Sequence, residues 1–262
     1  YKRQRMNSQS YLELLQRRPL VFDGAMGTSV QSLNPSADAF GGEAFLGCND
    51  YLVISSPHLV REIHASFLEV GCDVLETDTF RANPFSLREY GLQEEVESLN
   101  RAAAALAREV AREYATPWAP RFVAGSMGPS GFLPSSSDAE LGRISWAELS
   151  SGYARQAAGL LAGGVDLLLI ETGQDILEVK AAISGARAAM EKEGRRVPLQ
   201  VQVTLDTSGR MLLGTDAFSA LVTLEALRVD VLGLNCSTGP EHMREPVRIL
   251  TRHAVSYTHL RA

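Results

Sequence analysis

The sequence predicts an α/β fold, a (β/α)8 TIM barrel of which about six of eight βα units are present. Three observations carry this. Short apolar, β-branched runs alternate six times with longer segments of helical spacing. No low-complexity linker or fixed-period repeat divides the chain. Each of the six apolar runs ends on a polar or nucleophilic residue: Asp23, Thr77 with Asp78, Ser126, Glu171, Asp206, and Asn235 with Cys236. A doubly wound open sheet concentrates its chemistry at one crevice, whereas a barrel spreads it over the C-terminal ends of many strands. The distribution favours the barrel.

The elements follow in order. Strands are expected over 19–23, 73–77, 121–124, 165–171, 199–206 and 229–235, and helices over 57–70, 93–114, 145–162, 175–193, 216–227 and 240–253. Pro57 suits a first helical turn. Ser145 with Glu148 makes a capping box, and Gly71 and Gly194 stand where left-handed C-caps are expected. Two stretches, 24–56 and 129–143, are read as long loops. In domain terms, 1–18 is an N-terminal extension with a first helix, 19–253 an incomplete barrel, and 254–262 a tail.

Composition narrows the function classes. The 262 residues carry 25 Lys+Arg against 31 Asp+Glu, a net charge of −6, which disfavours a phosphate-binding surface and so a nucleic-acid partner. Three cysteines cannot form a disulfide framework and suit a reducing compartment, or a metal site. The apolar runs fall far short of the ~18–20 residues that span a bilayer, and no apolar signal region follows the basic start; the expectation is a cytoplasmic protein without a membrane. There is no G-x-G-x-x-G, no Walker loop, no H-E-x-x-H and no G-x-S-x-G, so nucleotide chemistry has no support. The five histidines show no ligand spacing and read as surface or capping residues.

Two local signals remain. Asp23-Gly24-Ala25-Met26-Gly27-Thr28 is a small-residue turn whose N–H groups could hold a carboxylate, or merely a tight turn. Cys236 stands at a strand's C-terminal end, at the mouth of a barrel. Cys72 precedes its strand and reads as a buried structural thiol; nothing assigns Cys48 a role or brings it near Cys236.

With Glu76-Thr77-Asp78-Thr79-Phe80, Ala124-Gly125-Ser126-Met127-Gly128-Pro129, Leu169-Ile170-Glu171-Thr172 and Gly233-Leu234-Asn235-Cys236, the Asp23 motif makes an ordered set of five. This set resembles the homocysteine S-methyltransferase family over about residues 19–250, and most closely the homocysteine-binding module of its cobalamin-dependent branch. The resemblance implies a methyltransferase in which zinc-activated homocysteine thiolate accepts a methyl group from methylcobalamin to give methionine. It implies zinc as cofactor, with methylcobalamin bound by another module, and folate- and cobalamin-binding modules as partners.

Residue by residue, the resemblance makes Cys236 the first of three zinc ligands, the adjacent Cys–Cys pair of the family being absent from this chain. Glu171 corresponds to the acid that receives the homocysteine ammonium, and Asp23 to a second polar contact. Gly24, Ala25 and Met26, with Thr77, correspond to the carboxylate side, and Asn235 to a site-shaping residue. The family usually has Asn where Asp78 stands; an inward negative charge would oppose a carboxylate, so Asp78 is expected not to contact the ligand. Residues 254–262 do not look like the family's seventh strand and read as a foreign remnant, which leaves the first and sixth strands as open edges. Two other readings stay open: a stand-alone homocysteine methyltransferase using betaine or S-methylmethionine, and an inactive partial barrel.

Overall fold

The computed structural model describes residues 11–254 and 257–258; the expectations for residues 1–10 and for most of the tail lie outside them. Six parallel strands stand side by side in chain order: β1 (Val74–Glu76), β2 (Phe122–Met127), β3 (Leu167–Gly173), β4 (Leu199–Val203), β5 (Val231–Leu234) and β6 (Tyr257–Thr258). The predicted first strand is present as a single parallel bridge, Phe22 to Val74, on the free edge of β1. Seven parallel segments therefore follow one another, one more than the sequence count, because Tyr257–Thr258 pairs with Val231 and Leu232 and covers the β5 edge. Among the described residues nothing pairs the Phe22 segment with β6, so the ring is open on that side.

Residues 11–15 are helical, as expected for the segment before the first strand; the helices that follow are α1 (Met26–Leu33), α2 (Leu52–Ser55), α3 (Pro57–Glu69), α4 (Pro84–Leu87), α5 (Val96–Tyr114), α6 (Trp146–Gly163), α7 (Ile176–Lys192), α8 (Ala217–Ala226) and α9 (Pro240–His253). The capping box at Ser145 is formed, and Gly71 and Gly194 adopt φ of 100° and 59°. The stretch 24–56 is a correction. It holds α1, two 3-10 turns (Glu43–Phe45 and Asn49–Tyr51) and α2, and its buried Val30, Phe40, Leu52 and Val53 share a separate apolar cluster with α3 and α5. The stretch 129–143 remains a loop. No helix among the described residues is long and apolar enough to cross a membrane.

Both faces of the strands are buried, which is why they read as continuous apolar runs. Side chains alternate. Val74, Phe122, Ala124, Leu167, Leu169 and Val231 face one cluster, while Leu75, Val123, Leu168, Ile170 and Leu232 pack with the helices. Tyr11 and Leu15 enter the first cluster, and the Tyr11 hydroxyl donates to Gln200 Oε1 at 2.7 Å, so the segment before the first strand seals this end of the sheet.

A carboxylate stands immediately before each of β1, β3 and β5 and clips the preceding strand. Asp73 accepts from Val21 N at 2.9 Å, Asp166 from Val123 N at 2.8 Å, and Asp230 from Leu199 N at 2.9 Å. Arg18 grips Asp73 through two bonds of 2.7 and 2.8 Å, and Arg108 reaches Asp166 at 2.6 Å.

Candidate functional site

At the opposite, C-terminal ends of the strands lies a cavity of about 470 Å3. All eight residues singled out from the sequence line it: Asp23, Gly24, Ala25, Met26, Thr77, Glu171, Asn235 and Cys236. A hollow of about 530 Å3 near Arg187, Arg195, Arg196 and Arg228 lies among helix C-termini, where Arg187 and Arg195 already donate to main-chain carbonyls and Arg196 pairs with Asp230. The chemistry-bearing groups converge in the first.

Glu171 ends the apolar run of β3, and neighbouring strands hold its carboxylate. Ser126 Oγ on β2 donates to Oε1 at 2.5 Å, and Asn235 Nδ2, just past β5, donates to Oε2 at 3.0 Å. Asn235 also accepts from Thr172 N at 2.9 Å and donates to Thr172 Oγ1 at 3.0 Å. Its main-chain carbonyl accepts from Thr204 Oγ1 at 2.9 Å. The result is a fixed, buried carboxylate with both oxygens oriented, suited to a cationic group.

Backbone strain collects beside it. Thr172, Cys236 and Ser237 have φ of 56°, 61° and 65°, a region that costs L-residues roughly 1–2 kcal/mol each. Such outliers persist where the surroundings over-determine them and cluster at working sites. The Cys236 thiol is exposed, and its Sγ lies 3.6 Å from Thr172 Oγ1.

The Asp23–Thr28 motif is resolved in favour of a helix start. Ala25 is the N-cap of α1 and makes no side-chain cap, and the first helical main-chain bond is Ser29 N to Ala25 O. The amides of the first turn thus carry the partial positive charge of a helix N-terminus on the cavity wall. Asp23 is more constrained than expected, since both its oxygens accept from Glu76 N at 3.1 Å. Thr77 spends its hydroxyl on Thr79 Oγ1 at 2.6 Å and on Ser126 N at 3.0 Å.

Several expectations are corrected. Cys48 lines the same cavity as Cys236; it is buried, and desolvation followed by the nearby Asp50 charge pushes its thiol up to about 12, so it is a neutral thiol. His64 is not a surface residue. It is fully buried on α3, with Nδ1 3.9 Å from Asp23 Oδ2, and burial lowers its pKa to about 4. Asp78 forms part of the cavity wall at 5% exposure. Cys72 is buried, as expected.

Sequence reasoning missed Asp50, Arg81 and Ser126 as partners in the site. Asp50 Oδ1 accepts from Arg81 N at 2.9 Å, and burial pushes its carboxyl up to about 6. The Arg81 guanidinium pairs with Glu89 at 2.9 Å. The close approach of this segment to β2 needs Gly128: a Cβ there would stand 2.5 Å from the Phe80 carbonyl.

Zinc prefers three or four N, S or O donors in tetrahedral array. Cys236 offers one thiolate, and no group of three His, Cys, Asp or Glu able to hold a metal occurs among the described residues. These residues alone do not complete a zinc site.

The family profile described as homocysteine S-methyltransferase matches residues 20–260. Methionine synthase of Mycobacterium tuberculosis is 42% identical over 243 residues, 93% of this chain and 20% of that protein. Methionine synthase of Mycobacterium leprae is likewise 42% identical over 243 residues, so the chain spans about 20% of the length of these curated relatives. The crystal structure of the homocysteine methyltransferase MmuM from Escherichia coli, in its metallated form, aligns with a TM-score of 0.76 at 22% identity, covering 95% of this chain and 85% of that one.

Proposed function

The chain belongs to the homocysteine S-methyltransferase family, and on that premise we propose that its cavity binds homocysteine for methylation at sulfur, as the homocysteine module of a methionine synthase. The observation that carries this is the Glu171 carboxylate, held by Ser126 and Asn235 beside the exposed Cys236 thiol. An α-amino acid needs an anion for its ammonium and amide donors for its carboxylate. Glu171 supplies the first, and the N-terminus of α1 at Ala25 and Met26 supplies the second. Asp23, tied to Glu76 N, adds negative potential on the ammonium side.

In this reading Cys236 would give one thiolate to a zinc ion whose remaining donors would come from outside the described residues. Zinc, when bound, keeps a coordinated thiol deprotonated at neutral pH. The chain's own residues orient the amino acid so that its sulfur faces the mouth of the cavity. There the thiolate attacks a methyl carbon, a new S–C bond forms, and the bond from methyl to its carrier breaks. The identity to two methionine synthases favours methylcobalamin, carried by another module alongside a folate-binding one, as that carrier. The likeness to MmuM speaks to fold alone.

The test is calorimetric titration of L-homocysteine into the protein with and without zinc, beside L-serine as a control that lacks the reacting thiol. Zinc-dependent, homocysteine-selective binding that is lost in Cys236→Ser supports the reading. Equal responses to both amino acids sink it.

A further inference from the structure

Asp78 is a cavity-wall carboxyl that burial leaves with an unsatisfied oxygen. It is 5% exposed, and its Oδ2 is buried with no hydrogen-bond partner. A second carboxyl, Asp50, sits on the same wall and is itself buried. The nearest cation on that wall, Arg81, is committed to Glu89 through its guanidinium and to Asp50 through its main-chain N–H. An unpaired buried carboxylate is costly, whereas the carbonyl oxygen of a neutral acid tolerates a missing partner far better. Two carboxyls in one low-dielectric wall do not both ionise readily.

We propose that Asp78 is a protonated, hydrogen-bond-donating residue that holds the carboxylate of the bound amino acid. This deepens the homocysteine reading and rests on it. Oδ2 is enclosed, so Oδ1 is the oxygen left to carry the proton toward the cavity. The donor then shares the cavity wall with Ala25 and Met26 at the start of α1, and the carboxylate meets a neutral group at Asp78 in place of an anion. Burial first, and then the Asp50 charge, raise the Asp78 pKa well above the ordinary carboxylate range.

The other titratable groups on the cavity wall do not supply this proton. Cys48 is a neutral thiol at ordinary pH. Tyr90, also raised by burial, stays neutral with it. Glu76 and Asp23 from the first two strand segments and Glu171 from β3 line the cavity as further carboxyls, and Arg81 as its guanidinium.

The experiment compares wild type, Asp78→Asn and Asp78→Ala in the full chain with zinc present. L-homocysteine affinity is measured as the pH is raised from neutral, and infrared difference spectra are recorded without ligand. The expected wild-type spectrum contains a protonated-carboxyl carbonyl band at neutral pH that both variants lack. Asp78→Ala should bind about ten- to a hundred-fold more weakly. Asp78→Asn, which keeps a neutral donor of the same shape, should rescue that loss and flatten the alkaline fall in affinity relative to wild type. Parallel pH profiles for wild type and Asp78→Asn, or no band difference, overturn the proposal. Glu171→Gln separates the two levels. If it weakens binding while the Asp78 variants do not, the homocysteine reading stands and this proposal falls. If no form binds homocysteine at any pH, the reading itself falls and takes the proposal with it.

Discussion

Thr172 and Asn235 hold each other across the ends of β3 and β5: Thr172 N donates to Asn235 Oδ1 at 2.9 Å, and Asn235 Nδ2 donates to Thr172 Oγ1 at 3.0 Å. The exchange keeps Thr172 in a left-handed conformation that a β-branched residue otherwise avoids. It also aims the Asn235 amide at Glu171. Asn235→Ala should therefore cost about 1–3 kcal/mol of stability, because a partly buried N–H and one Glu171 oxygen lose their partner. Urea unfolding measures that loss, and homocysteine titration should weaken in parallel; an Asn235→Ala protein as stable as wild type would show that the strained turn holds itself.

Glu171→Gln tests charge with little change of shape. The amide oxygen can still accept from Ser126, but the amide nitrogen then faces the Asn235 Nδ2 donor, so the fold should survive with a melting temperature lowered by a few degrees. Homocysteine binding should weaken about ten- to a hundred-fold, the worth of a charge-assisted bond to an ammonium. Zinc content should not change. Calorimetry with metal analysis checks both, and undiminished affinity would remove Glu171 from the ammonium site.

His64 should make the protein acid-sensitive. In the unfolded chain it takes a proton near pH 6.5, whereas burial delays protonation of the folded state to about 4. Between those values the unfolded state binds more protons, so stability falls as the pH drops, by up to about 1.4 kcal/mol per pH unit from this group. Asp50, raised to about 6, acts in the opposite sense over part of the window. His64→Leu isolates the histidine: urea midpoints should decline less from pH 6.5 to 4 than in wild type, and identical slopes would refute the assignment.

Arg228 ends the turn after α8 with φ of 52° and an exposed side chain. Its carbonyl, not its guanidinium, serves the neighbouring Arg187. Arg228→Gly should relieve roughly 1 kcal/mol of strain and raise the melting temperature by a few degrees. A lower melting temperature would mean that the chain-entropy cost of glycine prevails.

The six long helices from 57 to 253 were legible from their apolar stripes, several of them with boundary signals such as Pro57, Ser145 or Gly194, whereas the short α4 was not expected. The strands were legible from their double-sided burial. Helix α1 was hidden by Gly24 and Gly27, which read as a turn, although Met26, Val30 and Leu33 already show helical spacing. The convergence of the eight singled-out residues on one cavity was legible because strand ends and an ordered motif set point to them. The Asp50–Asp78 wall and the position of Cys48 were not, because they depend on how residues 24–56 pack against α3 and α5, which strand periodicity does not encode. His64 escaped for a related reason: a histidine on an amphipathic helix gives no sign of whether it faces in or out.

The carboxylates that clip Val21, Val123 and Leu199 lie at the far end of the strands from the cavity, yet they govern what the cavity contains. Side chains alternate between the two faces of a strand, so sliding one strand by a single residue exchanges every inward group for its outward neighbour. A slip of β3 would swing Glu171 toward the helices and bring an aliphatic side chain to the mouth. Each clip bonds one particular amide of the strand before it and so works as an index mark, setting the phase of the strand at its start. Over a strand of 7 residues such as β3, that mark is transmitted about 20 Å along a stiff backbone, so the accuracy with which Glu171 meets Ser126 and Asn235 is decided at the opposite end of the sheet.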